Sequence, residues 1–371
     1  MKYAIIILAV IFSLGCSAKA QTRQDLTENE RYKLAADYSK DKRGLSVLVM
    51  KDGKTVFEDY ENGYTAEDSH QLASGTKSFS GVMLAAAIED KLINNFDEKV
   101  SDTIVEWQMD KRKSRITLRQ LLSLTSGIDA GNNGRPPSYA EAIKFPVKYD
   151  AGEKFEYGPV PFQVFGEVMQ RKLLPKKETV LDYLKRRVLN PIGLNVTSWT
   201  TQDGQINIPS GAVLTAKEWA KFGQFLLDGG KWNGKQIVAK KLLDELVLGS
   251  KANPNYGLSF WLNRSSDGKA TLAEKPKTRF QELLNIEAET DQISQQGFGK
   301  DIPKDSFVAA GAGKQRLYVI PSMNLVVVRQ GQQAKFDDNE FLQRLIFGQS
   351  PHVSKDAVRQ LSALLLNLSL D

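Results

Sequence analysis

Hydrophobic and polar positions divide the chain into an early strand-rich stretch, a helical centre and a late strand-rich stretch. Residues 45–50 (LSVLVM) and 54–60 (KTVFEDY) are rich in β-branched and aromatic residues and flank a glycine turn, which predicts a hairpin. Central segments begin at a threonine cap or a proline, or close on glycine, which predicts helices. Strand patterns return in YGLSFWLN, SFVAAG, QRLYVI and NLVVVRQG, and further helices are predicted at 338–347 and 355–366.

This order of elements predicts an α+β fold. Early and late strands around a helical centre indicate one antiparallel sheet built from both chain ends, flanked by helices, with a mainly helical insertion beside it. The approximate bounds are residues 21–75 and 250–371 for the α/β part and 76–249 for the helical part, within one large unit. The charged stretch at 274–300 is predicted to be a long surface excursion.

The start of the chain has a pattern of its own. Lys2 precedes a short apolar run that ends in small residues, which predicts a secretory signal peptide at 1–20 with cleavage before Gln21. Because the run is shorter than the roughly 20 residues of a transmembrane helix, the mature chain is expected to be periplasmic or secreted, with no membrane span. Cys16 leaves lipid anchoring as a less favoured alternative. It is the only cysteine, so a mature chain that starts after it has no disulfide.

Composition and charge argue for an ordinary globular protein. The chain has 41% hydrophobic and 25% charged residues and a mean hydropathy of −0.35, which argues against a polytopic membrane protein. Its formal net charge of +6 comes partly from short basic clusters that lie among acidic residues. We therefore expect solvated surface at these clusters and no nucleic-acid partner. The oligomeric state is left open.

Scarce residue types exclude several kinds of site. His70 and His352 are the only histidines, and only His70 is near a candidate nucleophile, so a Ser-His-Asp triad and a His/Cys zinc site lack their side chains. No metal or cofactor is expected. The segment GGKWNGKQ satisfies GxxxxGK but carries Gln236 where a phosphate loop has serine or threonine, and it follows a helix. An interhelical turn is predicted there.

The segment QLASGTKSFSG places a serine and a lysine at the polar end of a strongly apolar helix. Residues three apart on a helix lie on one face, with Cβ atoms roughly 5–6 Å apart, so Ser74 and Lys77 are expected to face the same point. A serine hydroxyl becomes a nucleophile when a base takes its proton. Lysine has an ordinary pKa of about 10.4 and must be desolvated for this role, and the apolar helix supplies that condition. The spacing alone also fits a helix cap and a solvated lysine.

Further blocks in the same order raise the specificity of this motif. Together with SGTK they resemble the serine β-lactamase and penicillin-binding protein superfamily, particularly its class C-like, β-lactamase-related serine hydrolase branch. The resemblance covers most of the mature chain and implies a β-lactamase/transpeptidase-like fold. The blocks are ITLRQLLSLTSGI, AGEKFEYGPVPFQVFGEVM, LTAKEWAKFGQFLLDGGKWNGKQIV, YGLSFWLN and VAAGAGKQRLYVIPSMNLVVV.

The resemblance implies roles for particular residues. Ser74 corresponds to the nucleophile and Lys77 to its base. Tyr157, in YGP, corresponds to the tyrosine of a Y-x-N motif and would carry protons to the leaving group and from the deacylating water. The backbone N–H groups of Ser74 and Ala312 would form the oxyanion hole.

Two positions depart from the family pattern. Ala309, Ala310 and Gly311 correspond to the substrate-binding strand that carries K-T-G or H-x-G in the family, so Ala309 replaces a lysine or histidine. Pro159 replaces the asparagine of Y-x-N and removes a side-chain amide. Both losses argue against efficient penicillin hydrolysis.

The remaining core implies a hydrolase with an ester, amide or small peptide substrate and a Ser74 acyl-enzyme. Lys314 or Arg316 is predicted to restore the missing positive charge. Two alternatives stay open: a β-lactamase proper, and a catalytically silent relative that binds cell-wall peptides or partners. A silent relative has no need to keep Ser74, Lys77 and Tyr157 together, which favours an enzyme.

Overall fold

A computed structural model of the chain describes residues 26–132, 136–264, 269–273 and 293–349. The predicted signal peptide at 1–20 and the predicted helix at 355–366 lie outside these residues, and so does most of the charged stretch at 274–300. Among the described residues, no helix has the length and apolar character needed to cross a bilayer.

The central element is a six-stranded antiparallel sheet whose strands come from both ends of the chain. Its order is β10-β11-β12-β13-β1-β2, and the two chain ends meet where β1 pairs with β13. Strands β3, β7 and β4 form a smaller sheet, and β5-β6 and β8-β9 are two-stranded hairpins. The predicted sheet and its early hairpin are therefore confirmed. The strands are β1 (Gly44–Lys51), β2 (Lys54–Tyr60), β3 (Ser69–Gln71), β4 (Ser198–Trp199), β5 (Thr201–Gln202), β6 (Gln205–Ile206), β7 (Ala212–Thr215), β8 (Lys231–Trp232), β9 (Lys235–Gln236), β10 (Trp261–Leu262), β11 (Phe307–Gly311), β12 (Gln315–Ile320) and β13 (Leu325–Gly331).

Helices surround the sheet, and side-chain caps define several of their starts. Thr27, Thr215 and Asp337 each accept a hydrogen bond from the backbone N–H three residues later, which satisfies a free donor of the first turn. The α-helices whose ends lie in the described residues are α1 (Glu28–Asp41), α2 (Ser78–Glu89), α3 (Leu118–Leu122), α4 (Tyr139–Ala142), α5 (Val160–Leu173), α6 (Val180–Leu184), α7 (Ala216–Leu227), α8 (Lys240–Asp244) and α9 (Asp338–Phe347).

The two faces of the sheet are covered by different helices. On one face Arg329 of β13 donates a hydrogen bond from Nε to Ser39 Oγ of α1 at 3.0 Å, and α9 lies beside α1. On the other face Gly223 of α7 packs against Val326 and Leu317. Helix α7 lies within the range predicted for the helical part, yet it packs on the sheet.

Two segments differ from their predicted structure. In YGLSFWLN only Trp261–Leu262 is strand, because the chain turns back at Gly257, whose N–H bonds to the Phe260 carbonyl oxygen at 2.9 Å, with Ser259 at φ 82°. The predicted strand is wrong over its first half. The segment GGKWNGKQ lies between α7 and α8 as predicted, and it forms the β8-β9 hairpin.

Candidate active site

Ser74 and Lys77 lie on a short 3₁₀ turn, Ala73–Lys77, that leads directly into α2. In a 3₁₀ helix, side chains three residues apart eclipse each other. Lys77 Nζ accordingly donates a hydrogen bond to Ser74 Oγ at 2.9 Å. The turn therefore brings the predicted nucleophile and base into direct contact.

The backbone of this turn is strained at Ala73, and close packing against neighbouring residues keeps it in place. Ala73 has φ 47°, a left-handed conformation that costs a non-glycine residue about 1–2 kcal/mol. A Cβ atom on Gly75 would lie 2.9 Å from the ring of Trp219, so the backbone rests directly on that indole. Strained backbone persists where the surroundings over-determine it, often at functional sites.

Lys77 is 3% exposed, and its amine is surrounded by polar and aromatic contacts from three segments. Besides Ser74, Nζ donates a hydrogen bond to the Pro209 carbonyl oxygen at 3.1 Å. It lies 4.9 Å from the ring centroid of Tyr157 and 5.5 Å from that of Phe162. Burial disfavours the charged form of a lysine, so the site meets the desolvation that a lysine base requires.

Tyr157 precedes α5 and lies in a cluster of aromatic side chains. Its ring stacks on Trp261, with centroids 5.4 Å apart at 25°, and meets Tyr256 edge-on at 6.2 Å. Burial, with a smaller contribution from Tyr157, raises the pKa of Tyr256 well above its usual range. The fold thus brings the Tyr157 ring close to Lys77, as the family resemblance implied.

Strand β11 runs along the Ser74 turn at close range. A Cβ atom on Gly311 would lie 2.0 Å from the Leu72 carbonyl oxygen and 2.9 Å from the Gly75 nitrogen, so only glycine fits. Ala312, directly after the strand, is exposed at the β11-β12 turn. The two peptide groups predicted for the oxyanion hole therefore lie on adjacent segments.

The strand residues before Gly311 differ in exposure. Ala309 is buried in the hydrophobic core, whereas Ala310 is partly exposed. Neither side chain carries a polar group, so any polar contact with a substrate here falls to the backbone.

A family model described as Beta-lactamase matches residues 26–347 of this chain. The chain belongs to the Beta-lactamase family. The resemblance inferred from the sequence blocks is thereby confirmed over most of the chain.

Individual relatives of this Beta-lactamase family protein are distant. An uncharacterized protein of Alkalihalophilus pseudofirmus is 24% identical over 320 residues, which cover 77% of this chain and 83% of that protein. A Bacillus anthracis protein named as a 6-aminohexanoate-dimer hydrolase has a TM-score of 0.61 at 17% identity, covering 90% of this chain and 82% of its own. EstCE1, a hydrolase with promiscuous acyltransferase activity, has a TM-score of 0.63 at 14% identity, covering 86% and 98%. These structures establish the shared fold.

Arg316 does not supply the charge that this family member lacks at position 309. Its cross-strand partner is Ala310, and side chains alternate along a strand, so Arg316 points away from the face on which Gly311 meets the Ser74 turn. Arg316 is 1% exposed and pairs with Asp338 through Nε at 2.6 Å and Nη2 at 3.1 Å. The prediction for Arg316 is therefore wrong.

Lys314 lies in the turn between β11 and β12. It has φ 62° and lines a cavity of about 470 Å³ together with Lys300 and Asp337, and Ser74, Lys77 and Tyr157 are not among the residues that line this cavity. Its charge also contributes, after that of Arg316, to lowering the pKa of Asp338. That Lys314 restores the missing charge stays a prediction.

His70 belongs to the packing beside the site. It lies in β3, where its ring meets Tyr64 edge-on at 5.9 Å and Nδ1 is 3.3 Å from the Tyr64 hydroxyl. Burial lowers the pKa of His70, which favours the neutral ring. His70 is therefore close to Ser74 in sequence, but its described contacts are those of a packed ring beside Tyr64.

Sequence reasoning missed the residues that surround Lys77. Pro209, Phe162 and Trp261 contact Lys77 or Tyr157, yet each lies in an ordinary apolar or turn pattern. Two of the blocks that carry the family resemblance contain Phe162 and Trp261, and this was the signal that the sequence offered for them.

Proposed function

We propose that this protein is a serine hydrolase that forms an acyl-enzyme on Ser74, with Lys77 as the base and Tyr157 as the proton shuttle. The substrates proposed are esters, amides or small peptides. The observation that carries the proposal is the 2.9 Å contact between Lys77 Nζ and Ser74 Oγ on a buried, strained turn. Export to the periplasm or the medium, through the signal predicted at 1–20, is part of the proposal.

In the acylation step, the neutral Lys77 amine accepts the proton of the Ser74 hydroxyl as Oγ bonds to the substrate carbonyl carbon. The carbonyl π electrons move to oxygen, and the N–H groups of Ser74 and Ala312 would stabilise that oxyanion. Tyr157 then gives a proton to the leaving oxygen or nitrogen as its bond to carbon breaks, and the Lys77 ammonium reprotonates Tyr157.

Deacylation reverses the roles of these groups. Tyr157 passes its hydroxyl proton to the neutral Lys77 amine and takes a proton from water as the water oxygen bonds to the acyl carbon. The Ser74–carbon bond then breaks, and Oγ recovers its proton through Lys77. The groups proposed for this cycle are the side chains of Ser74, Lys77 and Tyr157, two backbone N–H groups and one water molecule.

The two departures from the family pattern guide the choice of substrate. Pro159 offers no side-chain amide to hold a substrate carbonyl, and Ala309 offers no cation for a carboxylate. Esters and simple amides depend less on both groups than penicillins do. The names of the structural neighbours, a 6-aminohexanoate-dimer hydrolase and a hydrolase with acyltransferase activity, support this choice.

The test is the intact mass of the protein after incubation with a fluorophosphonate probe and, separately, with benzylpenicillin. Wild type and the variants Ser74→Ala and Ser80→Ala are compared. Ser80 is a matched control because it is a buried serine on the adjoining α2. We expect a fluorophosphonate adduct on wild type and Ser80→Ala and none on Ser74→Ala.

The outcomes separate the alternatives. An adduct that survives in Ser74→Ala contradicts the assigned nucleophile. A wild-type adduct with benzylpenicillin favours a β-lactamase or penicillin-binding activity. No adduct with either compound contradicts the hydrolase and favours a silent binding protein.

A further inference from the structure

The amine of Lys77 lies beside a group of aromatic rings, of which the proposed mechanism uses only Tyr157. Phe162 and Trp261 are both buried. Lys77 Nζ is within 5.5 Å of the ring centroids of Phe162 and Tyr157, and Tyr157 stacks on Trp261. We call the rings of Tyr157, Phe162 and Trp261 the aromatic clamp.

The clamp occurs where the chain departs from its family pattern. Pro159 stands where the resemblance expects an asparagine and is the N-cap residue of α5. Phe162 follows in the first turn of that helix, and its ring reaches the lysine. The same helix start that lacks an amide therefore presents a ring face to Lys77.

A ring face within about 6 Å of a cation attracts it through the ring quadrupole, and more strongly where both are desolvated. In acylation Lys77 changes from a neutral amine to an ammonium ion. An interaction that strengthens as this charge forms lowers the barrier, because it is larger in the transition state than in the ground state. Ring faces are suited to this task, since they stabilise the ammonium without holding a proton of their own.

We propose that Phe162 is a positioning residue, whose ring holds the Lys77 amine against Ser74 and stabilises the ammonium that forms during acylation. This inference rests on the proposed function of Ser74 and Lys77.

The experiment measures the rate of fluorophosphonate labelling as a function of pH for wild type, Phe162→Leu and Phe165→Leu. Phe165 is the matched control: it is buried in the same helix, and among the described ring contacts it makes none with a cation. Leucine keeps the site apolar but removes the ring face.

For Phe162→Leu we expect two changes together. The pH midpoint of labelling falls by about half a unit to one unit, because the ammonium form loses its stabilisation. The plateau rate falls about three- to tenfold, because the lysine is a weaker base and is held less firmly. Phe165→Leu keeps the wild-type midpoint.

A ring with fluorine substituents at position 162 provides a variant of nearly unchanged shape. Trifluorinated phenylalanine weakens the negative face of the ring, so the midpoint is expected to move in the same direction as in Phe162→Leu while the melting temperature stays close to wild type. This variant keeps the test decisive if Phe162→Leu folds poorly.

The outcomes distinguish the inference from the proposed function. If wild type labels and both Phe162 variants keep its midpoint, the clamp is contradicted and the hydrolase stands. A lower plateau with an unmoved midpoint also contradicts it, because loss of packing alone produces that pattern. If wild type does not label at any pH, the proposed function fails first.

Discussion

Two buried basic side chains, those of Lys77 and Arg316, lie near strand β11 and differ in what surrounds them. Lys77 contacts the Ser74 hydroxyl, the Pro209 carbonyl oxygen and two aromatic rings. Arg316 makes a two-pronged ion pair with the carboxylate of Asp338. The two side chains are almost equally buried, so burial alone does not distinguish them.

These surroundings indicate that Arg316 stabilises the fold, whereas Lys77 fits the proposed role of a base. Burial alone would raise the pKa of Asp338, but the charge and hydrogen bonds of Arg316 outweigh it and lower that pKa. Even Arg329 nearby, whose pKa burial and the charge of Arg316 lower to about 10, stays protonated at neutral pH. Lys77 instead contacts a hydroxyl, a carbonyl oxygen and two rings, an environment that fits the base proposed for Ser74.

Removing the amine of Lys77 should have the largest effect on activity. Lys77→Met keeps a side chain of similar length without the amine. We expect labelling of Ser74 to fall by on the order of 10⁴-fold, because the hydroxyl loses its base. The melting temperature should change little, since a buried methionine needs no polar partner. Labelling within tenfold of wild type would contradict the role of Lys77.

Removing the charge of Arg316 should have the opposite result, a large loss of stability with little loss of activity. Arg316→Met leaves the Asp338 carboxylate buried with the Tyr318 hydroxyl as its described partner. We expect the free energy of unfolding to fall by about 3–5 kcal/mol. Labelling per folded molecule should stay near wild type.

A double variant provides the control for that measurement. Arg316→Met with Asp338→Asn removes both charges, and it should recover part of the lost stability because no isolated buried charge remains. If the double variant is no more stable than Arg316→Met, the loss comes from packing and not from the ion pair.

The ion pair also predicts how stability depends on pH. Because the pKa of Asp338 is lowered in the folded state, its stabilising contribution is complete above the ordinary value near 3.9 and is lost as pH falls through the folded-state value. The measurement is urea unfolding between pH 2 and pH 6 for wild type and Asp338→Asn. Their difference in unfolding free energy should shrink below about pH 4; a constant difference would contradict the assignment.

Lys314 tests whether a cation near the turn serves the substrate rather than the fold. Lys314→Gln should weaken hydrolysis of an anionic ester about tenfold relative to a neutral ester of the same alcohol, and less at high salt. Lys235→Gln, an exposed change in the β8-β9 hairpin, is the control. Equal effects of Lys314→Gln on both esters would reject a role in recognition.

The sequence predicted what depends on local pattern. Strands β11 to β13, the early hairpin and helices α5, α7 and α9 follow from apolar runs and capping residues, and the described structure confirms them. The contact of Ser74 with Lys77 follows from spacing, because residues three apart meet in any helical turn.

What the sequence did not predict depends on contacts between distant segments. Arg316 was expected near the substrate, but its partner Asp338 lies on a helix that begins after β13, and nothing local indicates that pairing. Phe162 looked like an ordinary core residue of α5 until the fold placed it beside Lys77. The direction of the Arg316 side chain could also not be predicted without the register of β11 and β12, because a shift of one residue moves a side chain to the other face of the sheet.

Ala73 is the clearest case of a feature invisible in sequence, and it leads to the smallest predicted effect. The left-handed backbone at Ala73 costs about 1–2 kcal/mol, and Ala73→Gly removes this cost. Glycine also makes the unfolded chain more flexible, which costs about 0.5–1 kcal/mol. We therefore expect the free energy of unfolding to rise by about 0.5 kcal/mol. The same change should slow labelling of Ser74 roughly two- to fivefold, because the turn that orients the hydroxyl relaxes.

Lys91 provides the matched control for that prediction. It is an exposed residue with φ 59° just beyond the end of α2, so Lys91→Gly relieves similar strain outside the site. It should gain similar stability and label at the wild-type rate. If Ala73→Gly also labels at the wild-type rate, the strained backbone at Ala73 has no role in activity. If the variant is more stable but labels more slowly, the strained backbone helps to orient the Ser74 hydroxyl for reaction.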